Sequence, residues 1–241
     1  MIDLHCHLLP GIDDGPQDLA TALRLARHAV TAGIRTSVVT PHMHPGRYDN
    51  RAANIRAAAQ MFQQVLDTEG IALRILCAAE VRLDHEILSW VGQEHIPYLG
   101  RWHGERVMLL EFPHSQVPVG ADKLVDWLLK QGIRPMIAHP ERNKDIMRST
   151  DKLLPFIRMG CLLQVTAGAV AGNFGEFARA RAVDLLARGW VTVLASDAHN
   201  LDVRPPELEP GRAAAAKIVG DEESWNMVRD RPAEIIGDAS L

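Results

Sequence analysis

One punctuation pattern, repeated five times, constrains this chain more than any other feature: a helical stretch ends in glycine, and a short β-rich apolar run follows at once. Gly33 precedes residues 34–40, Gly70 precedes 71–81, Gly132 precedes 133–138, Gly160 precedes 161–166 and Gly189 precedes 190–195. Glycine is favoured just past a helix end because it takes left-handed dihedrals without a Cβ penalty. Each glycine therefore marks a helix-to-strand corner. Before these corners, Leu19, Leu23, Ala26 and Val30 repeat at spacings of three and four, as do Phe177, Ala180, Val183 and Ala187; the spacing predicts apolar helix stripes. Residues 2–5 and 106–112 add two strands, giving about seven that alternate with helices.

Continuous apolar strands joined by helices predict a parallel sheet. Seven such units in 241 residues, 47% of them hydrophobic and with no obvious linker, predict one α/β domain over residues 1–241, a closed or nearly closed (β/α) barrel. An open doubly wound sheet is the alternative. The proline-bearing tail from Pro205, with an alanine-rich helix over 213–219, is expected to cap the domain.

The polar residues that end these runs carry the chemistry. They are His5 and His7, His42, Glu80, Glu111, His139, and Asp197 with His199; the run 161–166 brings no histidine or carboxylate. In parallel α/β folds the C-terminal strand ends share one face, where active sites sit. Residues two apart on a strand face the same way, so His5 and His7 form one pair, Asp197 and His199 another, and Cys6 points away. A lone histidine in an apolar run is ordinarily a satisfied core or surface residue, and a lone glutamate a cap or solvated edge. Burying all of these together without a cation would be very costly, so the group reads as a metal site.

Other residues carry less. In the turn 11–16 either Asp13 or Asp14 could be a ligand, and for Asp13 a turn or cap role fits equally well. Asp3 is expected to orient an imidazole. His44 and His114 follow strand ends off the spacing and are lesser candidates for ligands or substrate contacts, while His28, His85, His95 and His103 are expected to be solvated. Arg142 and Arg204 lie a few residues beyond His139 and His199, and guanidinium forks match phosphate oxygens. A net charge of −4 argues against a nucleic-acid partner. Cys6, Cys77 and Cys161 form no pair and read as buried thiols of a reducing compartment. No segment is long enough to enter a membrane and no leader pattern opens the chain, so a cytoplasmic address is expected.

Taken together, the stretch Ile2-Asp3-Leu4-His5-Cys6-His7 through Asp13-Asp14-Gly15 resembles the N-terminal signature of the PHP superfamily (polymerase and histidinol phosphatase). It is most similar to the bacterial manganese-dependent protein tyrosine phosphatases encoded with capsular and exopolysaccharide synthesis. Thr40-Pro41-His42, Ala79-Glu80, Glu111-Phe112-Pro113, His139-Pro140-Glu141-Arg142 and Ser196-Asp197-Ala198-His199 carry the likeness to about Pro206. The resemblance implies a distorted seven-stranded PHP-type barrel with a three-metal cluster of Mn2+; ligand type alone leaves Fe, Zn or Mg open. It implies His5, His7, Asp14, His42, Glu80, Glu111, His139, Asp197 and His199 as ligands, Arg142 and Arg204 as phosphate contacts, and a bacterial tyrosine autokinase as the phosphotyrosine-bearing partner. The loops around residues 44–47 and 114–117 depart from the pattern.

No arginine stands six residues after a cysteine, those positions being Ile12, Leu83 and Ala167, so no cysteine nucleophile is expected. Direct hydrolysis by a metal-activated water is. The rival readings are a small-molecule phosphatase such as histidinol phosphatase, an amidohydrolase, for which no lysine ends a strand, and a non-catalytic metal-binding module.

Overall fold

A computed structural model describes residues 1–238, so the last three residues of the expected 1–241 domain lie outside the described residues. The strands are β1 (Ile2–Cys6), β2 (Thr36–Val39), β3 (His42–His44), β4 (Tyr48–Asp49), β5 (Arg74–Cys77), β6 (Glu80–Arg82), β7 (Gly100–Trp102), β8 (Glu105–Glu111), β9 (Ile133–Ala138), β10 (Leu162–Thr166) and β11 (Val193–Ala195). The principal helices are α1 (Leu19–Thr31), α2 (Ala52–Thr68), α3 (Ile87–Gly92), α4 (Ala121–Lys130), α5 (Lys144–Arg148), α6 (Leu154–Arg158), α7 (Ala167–Ala171), α8 (Gly175–Ala187), α9 (Glu209–Val219), α10 (Asp221–Trp225) and α11 (Arg231–Ile236).

All five corner glycines take positive φ, between 64° and 85°, and strands or their approaches follow as the sequence predicts. Two expected strands break. The run 34–40 becomes β2, then a step at Thr40-Pro41, then β3. The run 71–81 becomes β5 and β6 around Ala78-Ala79. Proline has no N–H to give a ladder, which accounts for the first break. The pairs β3–β4 and β7–β8 are antiparallel and carried no sequence expectation.

The remaining pairings are parallel. One sheet runs β1-β2-β5; the other runs β11-β10-β9-β8-β6-β3-β4, with β7 on β8. The two meet where β1 leaves its strand: Cys6 bridges Ala198 in parallel, Asp197 N donates to His5 O at 2.8 Å, and His7 N donates to Ala198 O at 2.8 Å. The result is an α/β fold dominated by parallel strands.

Successive side chains divide between two cores, as the pleat requires. On β8, Met108 and Leu110 join a large cluster under the helices, while Val107 and Leu109 join a smaller one. That smaller cluster also takes Ile2, Leu4, Val38, Met136, Ala138, Leu162 and Val193, so strands of both sheets enclose it. Leu4 belongs to the smaller cluster and Cys6 to the larger, although they are two apart. The register shift between Asp3 and Cys6 is where the strand changes face, a usual effect of a bulge.

The expected stripe of α1 holds in part, with Ala26 buried and Leu23 and Val30 packed against the core, while that of α8 is displaced. In α1 the buried residues are Ala22, Leu25, Ala26 and Ala29, and Leu19 is exposed; in α8 they are Ala178, Ala182, Leu185 and Leu186, and Phe177 is exposed. Small alanines on these faces let the helices approach closely, with Leu25, Leu185 and Leu186 buried beside them. The tail docks as a cap: a side chain at Gly211 of α9 would overlap the Ala167 carbonyl of α7, so glycine permits the contact. No helix among the described residues is long and apolar enough to cross a membrane.

Candidate metal centre

The C-terminal strand ends converge on one cleft of about 270 Å³. Register places several ligand candidates side by side. His42 of β3 pairs with Glu80 of β6, and Arg82 of β6 pairs with Glu111 of β8. His139 and Asp197, just past β9 and β11, both take positive φ, 32° and 50°. Non-glycine residues rarely do so, and such strain concentrates at functional sites.

All nine candidate ligands and both arginines meet here. His5 and His7 lie at the floor with Nε2 atoms 3.3 Å apart. Glu80 Oε2 stands 3.3 Å from both Nε2 atoms and 3.0 Å from His42 Nδ1; Glu80 Oε1 stands 2.6 Å from His139 Nε2. Asp197 Oδ1 faces His5 at 3.2 Å and His7 at 3.4 Å. Asp14 Oδ1 lies 3.2 Å from His42 Nε2 and 3.3 Å from His199 Nε2. Three overlapping groups could each hold a cation: His7, Asp14, His42 and His199; His5, His7, Glu80 and Asp197; His42, Glu80 and Glu111.

Unsatisfied atoms show that the donor set fits metal ions. His42 Nδ1, Glu80 Oε2 and His199 Nε2 are buried without a hydrogen-bond partner among the described residues. Buried polar atoms are normally paired. These aim their lone pairs into shared space, as ligand atoms around a common cation do.

The electrostatics agree. Burial opposes charge on Glu80, yet His5, His42 and His139 hold its carboxyl well below the usual range. Burial likewise opposes charge on Asp197, which Arg142 and His5 hold well below it. Against the cost of burial, Asp13 pushes His7 well up, and Glu80 with Asp14 pushes His42 to about 10. His139 goes the other way: burial and then Arg142 lower it to about 3, so its imidazole is neutral. Burial and then Glu80 raise Glu111, whose Oε1 pairs with Arg82 Nη1 at 3.0 Å.

Asp197 faces two ways. While Oδ1 looks into the histidines, Oδ2 receives Arg142 Nη2 at 2.5 Å and Arg204 Nη1 at 3.5 Å. Arg142 rides the single turn Pro140–Arg142 behind His139. Arg204 is returned to His199 by its own loop, where His199 N donates to Arg204 O at 2.9 Å. Two guanidinium groups thus border the ligand cluster on one side.

The surrounding residues correct some expectations. Asp3 orients no imidazole: its carboxylate accepts from Ser196 N at 2.9 Å, from Ser196 Oγ at 2.5 Å and from His5 N at 3.4 Å, locking the two strand ends together. Asp13 takes the imidazole instead, with Oδ2 2.6 Å from His7 Nδ1, and also accepts from Gly15 N and His42 N. Gln164 was not anticipated. From β10, the strand without a ligand, its Oε1 accepts from His5 Nδ1 at 2.9 Å and His139 N at 3.2 Å. Its inward parity with Leu162 is the only signal the sequence held. His28 is half-buried and pairs with Glu207 at 2.8 Å rather than being solvated. Cys6 and Cys161 are buried, Cys77 is half-buried, and all three are free.

Comparisons place this geometry among known proteins. The chain is 38% identical over 230 residues to Tyrosine-protein phosphatase YwqE of Bacillus subtilis, covering 95% of this chain and 89% of that one. It is 30% identical to Tyrosine-protein phosphatase CpsB of Streptococcus pneumoniae, covering 99% of both. A solved structure described as YwqE from Bacillus subtilis and CpsB from Streptococcus pneumoniae, unique metal-dependent tyrosine phosphatases, superimposes with a TM-score of 0.91 at 33% identity, covering 100% of this chain and 96% of that one. A phosphotriesterase homology protein from Escherichia coli, at 14% identity and a TM-score of 0.60, shares the fold alone. The model of the family described as capsular polysaccharide synthesis, CpsB/CapC, matches residues 1–237, and the chain belongs to that family.

Proposed function

We propose that this chain is a metal-dependent protein-tyrosine phosphatase, and that its nine clustered side chains hold three divalent cations, Mn2+ by preference. The observation that carries the reading is Asp197, whose one oxygen faces the histidine cluster while the other meets Arg142 and Arg204. A phosphate bound there lies between cations and guanidinium groups. The three overlapping ligand groups support three ions, and the mixed nitrogen and oxygen donors suit manganese or its neighbours. The pairing that runs from β1 through both sheets and back to Ala198 supports a single-domain barrel of seven staves, with β2–β3 and β5–β6 each counting as one.

When bound, divalent cations supply Lewis-acid charge and an activated water at neutral pH. The chain's own residues do the rest. Arg142 and Arg204 orient the phosphate and spread the charge that grows on its oxygens. Asp13 and Gln164 fix the ring orientations of His7 and His5. Neutral His139 stands at Glu80 with its Nε2 directed inward. A phenol has a pKa of about 10, so a tyrosyl oxygen leaves with less proton assistance than an alkoxide. No cysteine takes part: Cys6 points away from the cluster and burial raises its thiol.

The partner is a phosphotyrosine-bearing protein, a bacterial tyrosine autokinase in our reading, and the setting is capsular or exopolysaccharide synthesis. The family's description supports the setting, and three free thiols support a cytoplasmic one. Turnover of phosphotyrosine peptides and of histidinol phosphate, each with added Mn2+, tests the proposal. Hydrolysis of the peptides is expected; turnover of histidinol phosphate alone would contradict it.

A further inference from the structure

The ligands and the two arginines account for the depth of the cleft but not its mouth, where His44, Arg47, Tyr48, Arg82 and His114 also line it. Two of these carry rings that stand on ligand imidazoles. Tyr48 stacks on His42 with centroids 5.6 Å apart and planes 11° apart. His114 stacks on His139 at 5.6 Å and 27°. His42 and His139 approach opposite oxygens of Glu80, at 3.0 Å and 2.6 Å. The order across the mouth is therefore Tyr48, His42, Glu80, His139, His114.

The two outer rings come from separate loops, the β3–β4 hairpin and the segment after β8. The His114 side chain is 60% exposed. Tyr48 is half-buried, and the Arg47 guanidinium lies over its ring, 5.0 Å from the centroid. A phosphate lodged against Arg142 and Arg204 would have its ester group leave the cleft between these rings.

We propose that Tyr48 and His114 are the specificity walls of the site, selecting the ester of a phenol over that of an alkyl alcohol. This inference rests on the phosphomonoesterase reading and deepens it. An aryl ring is flat and rigid, so it can pack against the accessible parts of these two rings at little entropic cost, and ring pairs gain energy beyond the area they bury. A short alkyl chain meets neither wall. Neither residue belongs to the three ligand groups, so their effect falls on substrate binding.

Steady-state kinetics on a phosphotyrosine peptide and a matched phosphoserine peptide test this, using the Mn2+-loaded protein and its Tyr48→Ala, Tyr48→Phe, His114→Ala and His114→Phe variants. Each alanine variant should raise KM for the phosphotyrosine peptide by a few-fold to about tenfold and lower the aryl-to-alkyl selectivity ratio. Each phenylalanine variant should restore both. The inhibition constant for inorganic phosphate and the metal content should stay at wild-type values in all four. An unchanged KM in both alanine variants overturns the inference, as does phosphate inhibition that weakens in parallel with KM, because the residues would then act through the metal centre. Equal wild-type turnover of both peptides overturns the specificity claim alone. Absence of turnover on both peptides overturns the reading beneath it.

Discussion

Replacing Gln164 with leucine should weaken metal binding while leaving the fold intact, and the structure sets the size of both effects. Gln164 is fully buried, and its Oε1 is the acceptor for His5 Nδ1 and His139 N. Its Nε2 has no partner among the described residues. Leucine therefore strands two buried donors and removes one stranded amide, a net gain of one unsatisfied buried group, worth about 1–3 kcal/mol. Domains of this kind keep roughly 5–15 kcal/mol of stability, so the variant stays folded. The imidazole of His5 loses its fixed tautomer and ring angle. Loss of such an outer partner costs about 10- to 100-fold in metal affinity. Competition against a fluorescent Mn2+ chelator measures the affinity, and urea unfolding measures the stability. Wild-type Mn2+ affinity in a folded Gln164→Leu protein would refute the argument that this amide orients the ligands.

Other consequences follow from the same geometry. Asp3→Ala leaves the buried Ser196 N–H unsatisfied, while its hydroxyl keeps Ala198 N and His5 O, so urea unfolding should show a loss of roughly 1–3 kcal/mol; a loss under 0.5 kcal/mol would contradict the strand-locking role. Arg142→Lys keeps the charge but not the fork, and kcat/KM on a phosphotyrosine peptide should fall about 100- to 1,000-fold with metal content unchanged. Because the carboxylates raise His7 and His42, the metal-free cluster holds protons at neutral pH that cations must displace. Apparent Mn2+ affinity should therefore rise with pH through the neutral range, and calorimetry in buffers of different ionisation enthalpy should report proton release; a buffer-independent enthalpy would contradict this.

How far the sequence reached depends on which physical signal each element leaves. Corner glycines and polar strand ends are local signals, so β1, β8, β9 and β10 lie within a residue or two of their expected limits. The β3–β4 hairpin and β7 are two or three residues long, too short for a period to register, and the hairpin turns out to supply Tyr48. Stripe phase in α8 failed because Ala178 and Ala182 face the core beside Leu185 and Leu186, whereas the α1 stripe missed only Leu19. Histidines and carboxylates announce themselves by clustering at strand ends. Gln164 does not, since an amide in an apolar strand looks like any tolerated polar residue until its neighbours are seen. Asp3 and Asp13 exchanged roles because the choice between backbone and imidazole turns on a bulge and a tight turn whose local geometry the sequence does not display.

The claim on which everything else rests is that these side chains hold cations together. Metal analysis by mass spectrometry of the protein saturated with Mn2+ and freed of excess, beside Glu80→Ala, tests it most directly, since Glu80 enters two of the three ligand groups. The account predicts three ions per chain in the native protein and a clear deficit in the variant. A native protein that retains no divalent metal, or a variant that retains the full complement, would contradict it.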